Sequence, residues 1–142
     1  MDRALDSLSA ACRPLVVEVL ARLTERGIPT MIVQTGRSLA EHRVNLANGT
    51  SRSALSKHLP RAMRGWADDD PDAAKCDAID LCPYETYALC GPDKLAWTEH
   101  ATPQSTAAWA AIMEEGEKLG LRSGARWHDP HDPGHLELVF HS

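Results

Sequence analysis

Two prolines constrain the most chemically loaded stretch of this chain, Trp127-His128-Asp129-Pro130-His131-Asp132-Pro133-Gly134-His135-Leu136-Glu137-Leu138. His131 and His135 are four residues apart, the spacing that would stack two imidazoles on one face of a helix. Pro130 and Pro133 forbid a helix here, because proline has no amide hydrogen and drives the residue before it into extended backbone. The stretch must therefore be an extended entry into a closing strand. In that strand Leu136, Leu138 and Phe140 alternate with His135, Glu137 and Val139, so His135 and Glu137 share the face opposite the apolar one. Asp132 falls on the turn three residues before His135.

The rest of the chain supplies elements for that strand to join. Leu15, Val16, Val19, Leu20 and Leu23 recur at helical spacing, and Gly27 followed by Pro29 stops the helix. Thr30-Met31-Ile32-Val33-Gln34 has the β-branched, apolar character of a strand and runs into a turn at Gly36-Arg37. Ser38 and Glu41 have capping-box spacing for a second helix that closes at Asn48-Gly49. Asp77 to Cys82 alternates as a strand, with Ile79 and Leu81 on one face and Asp80 on the other. Thr102 caps a third helix with Pro103 in its first position, and Trp109, Ile112, Met113 and Leu119 supply its apolar stripe before Gly120. Helices packed around a small, mainly antiparallel sheet, an α+β class, are the expectation.

At 142 residues, the chain suits a single domain over its whole length, 1–142, with one core and one active site and little room for a second folding unit. Residues 59–75, where periodicity fades into Ala67-Asp68-Asp69-Asp70-Pro71-Asp72, read as an exposed acidic loop insertion. Lys and Arg total 15 against 20 Asp and Glu, a net charge of −5, with no basic stripe. Nucleic acid is therefore not an expected partner. No signal-peptide pattern opens the chain, and no segment has the length of a membrane span. Cys12, Cys76, Cys82 and Cys90 form no Cys-x-x-Cys pair and read as buried or free thiols.

The three clustered histidines point to a metal, and three ordered elements sharpen that reading: Ser56-Lys57-His58, Ala78-Ile79-Asp80 and Asp132-Pro133-Gly134-His135. In this order they resemble the Ser-x-His, Ala-x-Asp and Asp-x-x-His elements of the zinc D,D-carboxypeptidase and L-alanyl-D-glutamate endopeptidase family, which shares its fold with the hedgehog signalling domain and includes many phage endolysins. Val33 to Glu41 is similar to the family's arginine-bearing segment. The resemblance runs from about Leu15 to Phe140. It departs from the family pattern in one place: His58 and Asp80 stand 22 positions apart instead of seven, with Cys76 where the family has glycine. An outward loop between two ligands accounts for this, since closure entropy grows slowly with loop length.

The resemblance implies one zinc ion on His58, Asp80 and His135. Two imidazoles and a carboxylate suit zinc, and three protein ligands leave a position open for water. Asp132 is then the general base, and Arg37 the cation that steadies the developing oxyanion or, alternatively, a surface arginine. Ser56 either orients substrate or braces the histidine. His128 and His131 stand as reserve ligands or loop residues, and Glu137 as an acceptor behind His135 or an exposed group. The four tryptophans are expected in the core or as cleft walls. Asp68, Asp69, Asp70 and Asp72 lack the glycine and terminal glutamate of a calcium loop and are expected in solvent.

The implied activity is hydrolysis of the L-alanyl-D-glutamate bond of the peptidoglycan stem peptide by a monomeric enzyme. Two rivals stay open: a D-alanyl-D-alanine carboxypeptidase and a non-catalytic zinc-binding module. By the same resemblance, the protein would be made in a phage-infected host's cytoplasm and reach the cell wall once a holin opens the membrane.

Overall fold

The structure, a computed structural model, describes residues 1–50, 56–85, 95–128 and 131–140. After a 3₁₀ turn at Leu5–Ser7 come α1 (Cys12–Glu25), β1 (Thr30–Gln34), α2 (Leu39–Ala47), a 3₁₀ turn at Arg61–Arg64, β2 (Ala78–Pro83), α3 (Pro103–Lys118), β3 (Arg122–Ser123), a 3₁₀ turn at Gly124–Arg126 and β4 (His135–Glu137). The strands form one antiparallel sheet in the order β1-β2-β4-β3. The α+β expectation is met. Among the described residues no helix is long and apolar enough to cross a membrane.

Local signals place most elements where the sequence puts them. Ser38 and Glu41 form the reciprocal capping box at the start of α2. Thr102 caps α3 with Pro103 in the first position, its partner in the box being Ser105. Gly49 and Gly120, beyond the ends of α2 and α3, take left-handed backbone that other residues resist.

The core lies between α1, α3 and one face of the sheet. Val16, Val19 and Leu23 meet Ile79 and Leu81 of β2, Trp109 and Ile112 of α3, and Leu136 of β4. Gly116 lets α3 ride directly on β4, since a Cβ there would meet the Leu136 side chain. With Leu136 turned to the helices, strand alternation turns His135 and Glu137 to the other face. Asp80 pairs across the strands with His135 on one side and Gln34 on the other, so the three side chains line up on that face.

Two expectations need correction, and one strand lies outside them. The closing strand ends at Glu137 instead of continuing to Phe140. Phe140 is 40% exposed and packs on the Trp66 ring, with Arg61 and Lys57 beside it, so it covers charged side chains and stays out of the core. Nor are the acidic residues of 59–75 all turned to solvent: Asp70 and Asp72 lie 3.9 and 3.8 Å from the buried Arg61, and Asp72 also accepts from the Ala10 amide. A buried guanidinium draws nearby carboxylates inward. The two-residue edge strand β3 is too short to carry a periodic signal. Cys12, Cys76 and Cys82 are buried free thiols, whereas Cys90 lies outside the described residues.

Candidate metal centre

His58, Asp80 and His135 converge, with ligand atoms all within 4.8 Å of one another. Asp80 and His135 are brought together by β2–β4 pairing, and His58 arrives from a loop held on each of its neighbours. The Asp77 amide donates to Lys57 O (2.9 Å), the Arg37 amide to His58 O (2.8 Å), and Arg64 Nε to Leu59 O (2.9 Å). The Ser56 hydroxyl accepts from the His58 amide at 3.3 Å, which places Ser56 as a brace of the histidine backbone.

Each imidazole has one nitrogen tied behind it and one facing the cluster. His58 Nδ1 lies 2.6 Å from Thr35 O, and His135 Nε2 lies 2.9 Å from Glu137 Oε1. A carbonyl and a carboxylate can only accept, so these rear nitrogens carry the hydrogens. The front nitrogens, His58 Nε2 and His135 Nδ1, stand 3.3 Å apart, and Asp80 reaches them at 3.2 and 3.1 Å. With both rings neutral, two lone pairs and a carboxylate would face each other, an arrangement that calls for a cation. The donor set therefore fits zinc or another divalent metal that accepts two imidazoles and one carboxylate.

The electrostatics of the protein alone say the same. Burial opposes charge on His135, but its hydrogen bonds to Asp80 and Glu137 push its pKa up to about 10. Burial likewise opposes ionisation of Asp80, yet the charge of His58 and the hydrogen bond to His135 hold it well below the usual carboxylate range. Against its own burial, Glu137 is drawn down to about 2 by His135 and by Lys57, whose Nζ stands 3.0 Å from Oε2. The positive charge that the site concentrates on His135 is one that a metal ion would supply in the proton's place.

Around this cluster sit the remaining candidates. Asp132 Oδ2 is 3.9 Å from His135 Nδ1, close without being part of the cluster. Burial, and then the nearby Asp80 carboxylate, raise its pKa. Arg37 is tethered at both ends of its guanidinium, Nη2 to Gln34 Oε1 at 3.1 Å and Nη1 to His42 Nδ1 at 3.3 Å, with a buried Nε that makes no hydrogen bond among the described residues. Its charge reaches Asp132. Its guanidinium is thus fixed in place beside the strand exit. Trp127 packs on the His135 ring with centroids 4.9 Å apart.

The reserve ligands do not join. His128 is exposed, and His131 Nε2 pairs with Glu99 at 2.8 Å. Residues that sequence reasoning passed over include Thr35 and His42, Lys57 behind Glu137, and Gly124. A Cβ on Gly124 would meet Asp132 O and approach His135 Cβ to 3.0 Å. Thr35 and Lys57 act through partners far along the chain, and His42 and Gly124 through nearer contacts that have no motif of their own.

No protein-family model matches the chain, and no curated protein matches it by sequence. Among solved structures it is similar to the crystal structure of the Serratia marcescens L-Ala D-Glu endopeptidase ChiX, with 20% sequence identity and a TM-score of 0.58 over 96% of this chain and 84% of that one. The order of helices and strands that brings His58, Asp80 and His135 together is thus embedded in the fold of that endopeptidase.

Proposed function

We propose that the chain is a zinc-dependent peptidase that hydrolyses the L-alanyl-D-glutamate bond of the peptidoglycan stem peptide. One observation carries the reading: two imidazole nitrogens and a carboxylate converge, each ring locked from behind, in the fold of a protein described as an L-Ala D-Glu endopeptidase. His58, Asp80 and His135 would hold the metal. When bound, zinc supplies Lewis-acid activation of water and of the scissile carbonyl.

The protein's own groups perform the rest. Asp132, beside the cluster and raised in pKa, takes the proton of the attacking water on its carboxylate and passes it to the departing amine. Arg37, fixed by Gln34 and His42, presents its guanidinium towards charge developing on the amide oxygen. Thr35 and Glu137 hold the two imidazoles in the tautomers that turn a lone pair inward, and Lys57 steadies Glu137. Ser56 acts on the His58 backbone and is not the nucleophile.

Incubation with purified peptidoglycan, followed by identification of the new termini, tests this. New alanine C-termini beside glutamate N-termini are expected. Release of D-alanine alone would assign a carboxypeptidase, and a zinc-loaded protein that releases nothing would be a binding module. The setting we propose is that of a phage endolysin, on the sequence resemblance alone; lysis of a Gram-negative culture only when a holin is co-expressed would support it.

A further inference from the structure

On the helix side of the sheet, away from the metal cluster, a cavity of about 270 Å3 opens between the end of β2 and the first turn of α3. Glu85, Leu95, Ala96, Trp97, Thr98, Ala101 and Ser105 line it. Glu85 is only 4% exposed, and neither carboxylate oxygen has a hydrogen-bond partner among the described residues. Neither lining hydroxyl serves it: Ser105 Oγ is committed to Glu99 O and to the Thr102 backbone, and Thr98 makes no hydrogen bond to either Glu85 oxygen. A buried carboxylate without a donor is costly, and a positively charged partner would offset that cost.

The walls say which kind. Among the described residues no other His, Cys, Asp or Glu joins Glu85 in a metal-binding group, whereas divalent ions gather several oxygen ligands. Leu95, Ala96 and Ala101 are apolar, and the indole of Trp97, which is 53% exposed, stands at the same cavity. An apolar wall, an aromatic ring and one carboxylate suit an aliphatic chain ending in a cation. The volume suits a short chain.

We propose that this cavity is a second binding site, for the primary ammonium group of a short alkylamine, with Glu85 as its counter-ion and Trp97 at its side. None of its lining residues is a member of the metal cluster. Asp80 and the metal cluster face the opposite side of the strand from Ile79 and Leu81, which lie under α3, the helix that contributes Ser105 here.

The test is an NMR titration of the full chain with n-butylammonium chloride at constant ionic strength, following the Trp97 indole signal identified with Trp97→Phe. Butan-1-ol serves as the uncharged probe of the same shape. Saturable shifts with the amine are expected, with affinity at least about tenfold weaker for the alcohol and for Glu85→Gln, the loss typical of a hydrogen bond to a charged group. Zinc content should be the same in Glu85→Gln as in the parent. Ala101→Leu, at an exposed rim position, keeps the carboxylate and narrows the cavity, and should weaken the amine as well. No saturable shift in the parent, equal binding by the alcohol, or undiminished binding by both variants would overturn the proposal.

Discussion

Asp77 and Asp80 lie three residues apart on the same stretch of chain, both among cationic or cation-forming side chains, yet they do opposite work. Asp77 is fully buried and takes Arg61 Nε and Nη2 at 2.9 and 3.0 Å, Arg64 Nη2 at 2.6 Å and the Ser9 hydroxyl at 2.5 Å. Guanidinium groups are permanently charged, so this network is complete with no added ion. Asp80 keeps 21% of its side chain exposed and is met by two imidazoles, groups that exchange a proton for a metal. A carboxylate closed by arginines becomes a rivet, and one closed by histidines becomes a socket. The two are linked, because the Asp77 amide and Arg64 hold the carbonyls on either side of His58.

The largest effect that would sharpen this contrast lies at the socket. Asp132→Asn should retain its zinc and lose roughly two to four orders of magnitude in peptidoglycan hydrolysis, the range for removal of a general base. Glu137→Gln at equal zinc occupancy should lose less. Near-parental turnover in Asp132→Asn with an inactive Glu137→Gln would move the base to Glu137.

The next experiment compares the two aspartates directly. Asp77→Ala should destabilise the metal-free protein by about 3–5 kcal/mol in urea unfolding, since it strands two buried guanidinium groups. Asp80→Ala should cost the metal-free protein clearly less and abolish zinc binding. If Asp80→Ala proves the more destabilising without metal, the contrast fails.

Chelation probes the socket alone. Stripping zinc should lower the thermal midpoint of the parent by an amount that grows with free zinc concentration, as for any ligand of the folded state. Asp80→Ala should show no such response in calorimetry.

Acidification isolates the rivet when the parent is compared with Asp77→Asn. Burial raises the pKa of Asp77, but the hydrogen bonds from Arg61, Ser9 and Arg64 outweigh it and leave the folded value below 3.8. The stability this confers is fully present above the unfolded value and is lost as pH falls through the lowered folded value. Metal-free Asp77→Asn should therefore start less stable at neutral pH and lose less on acidification below pH 3.8 than the parent, as read by circular dichroism. The smallest effect is expected from replacing Asp70 and Asp72 with asparagine. At 3.9 and 3.8 Å from Arg61 they should contribute up to about 1 kcal/mol, with zinc binding unchanged.

How much of the site was legible follows from how each residue is held. His135 and Glu137 could be placed on one strand face because Pro133 rules out a helix and alternation does the rest. Arg37 could be located by its turn before a capping box, but its tethers to Gln34 and His42 could not, being set by the strand exit and the first turns of α2 meeting in space. Segment 59–75 looked outward in sequence because its acidic residues have no local partner. In the fold, Arg61 and Arg64 turn it into the clamp beside His58.

The sequence by itself determined the α-helices, strands β1 and β2, the start of β4 and the chemical types available for a metal. Those depend on caps, prolines and periodicity, which act over a few residues. Only the tertiary structure decided that His58 meets Asp80 across 22 positions, that Thr35 locks the His58 imidazole, and that Phe140 leaves the sheet to cover Arg61. Each of these is a contact between residues distant in the chain. Its energy exists only once sheet pairing has offset the entropy of bringing the segments together.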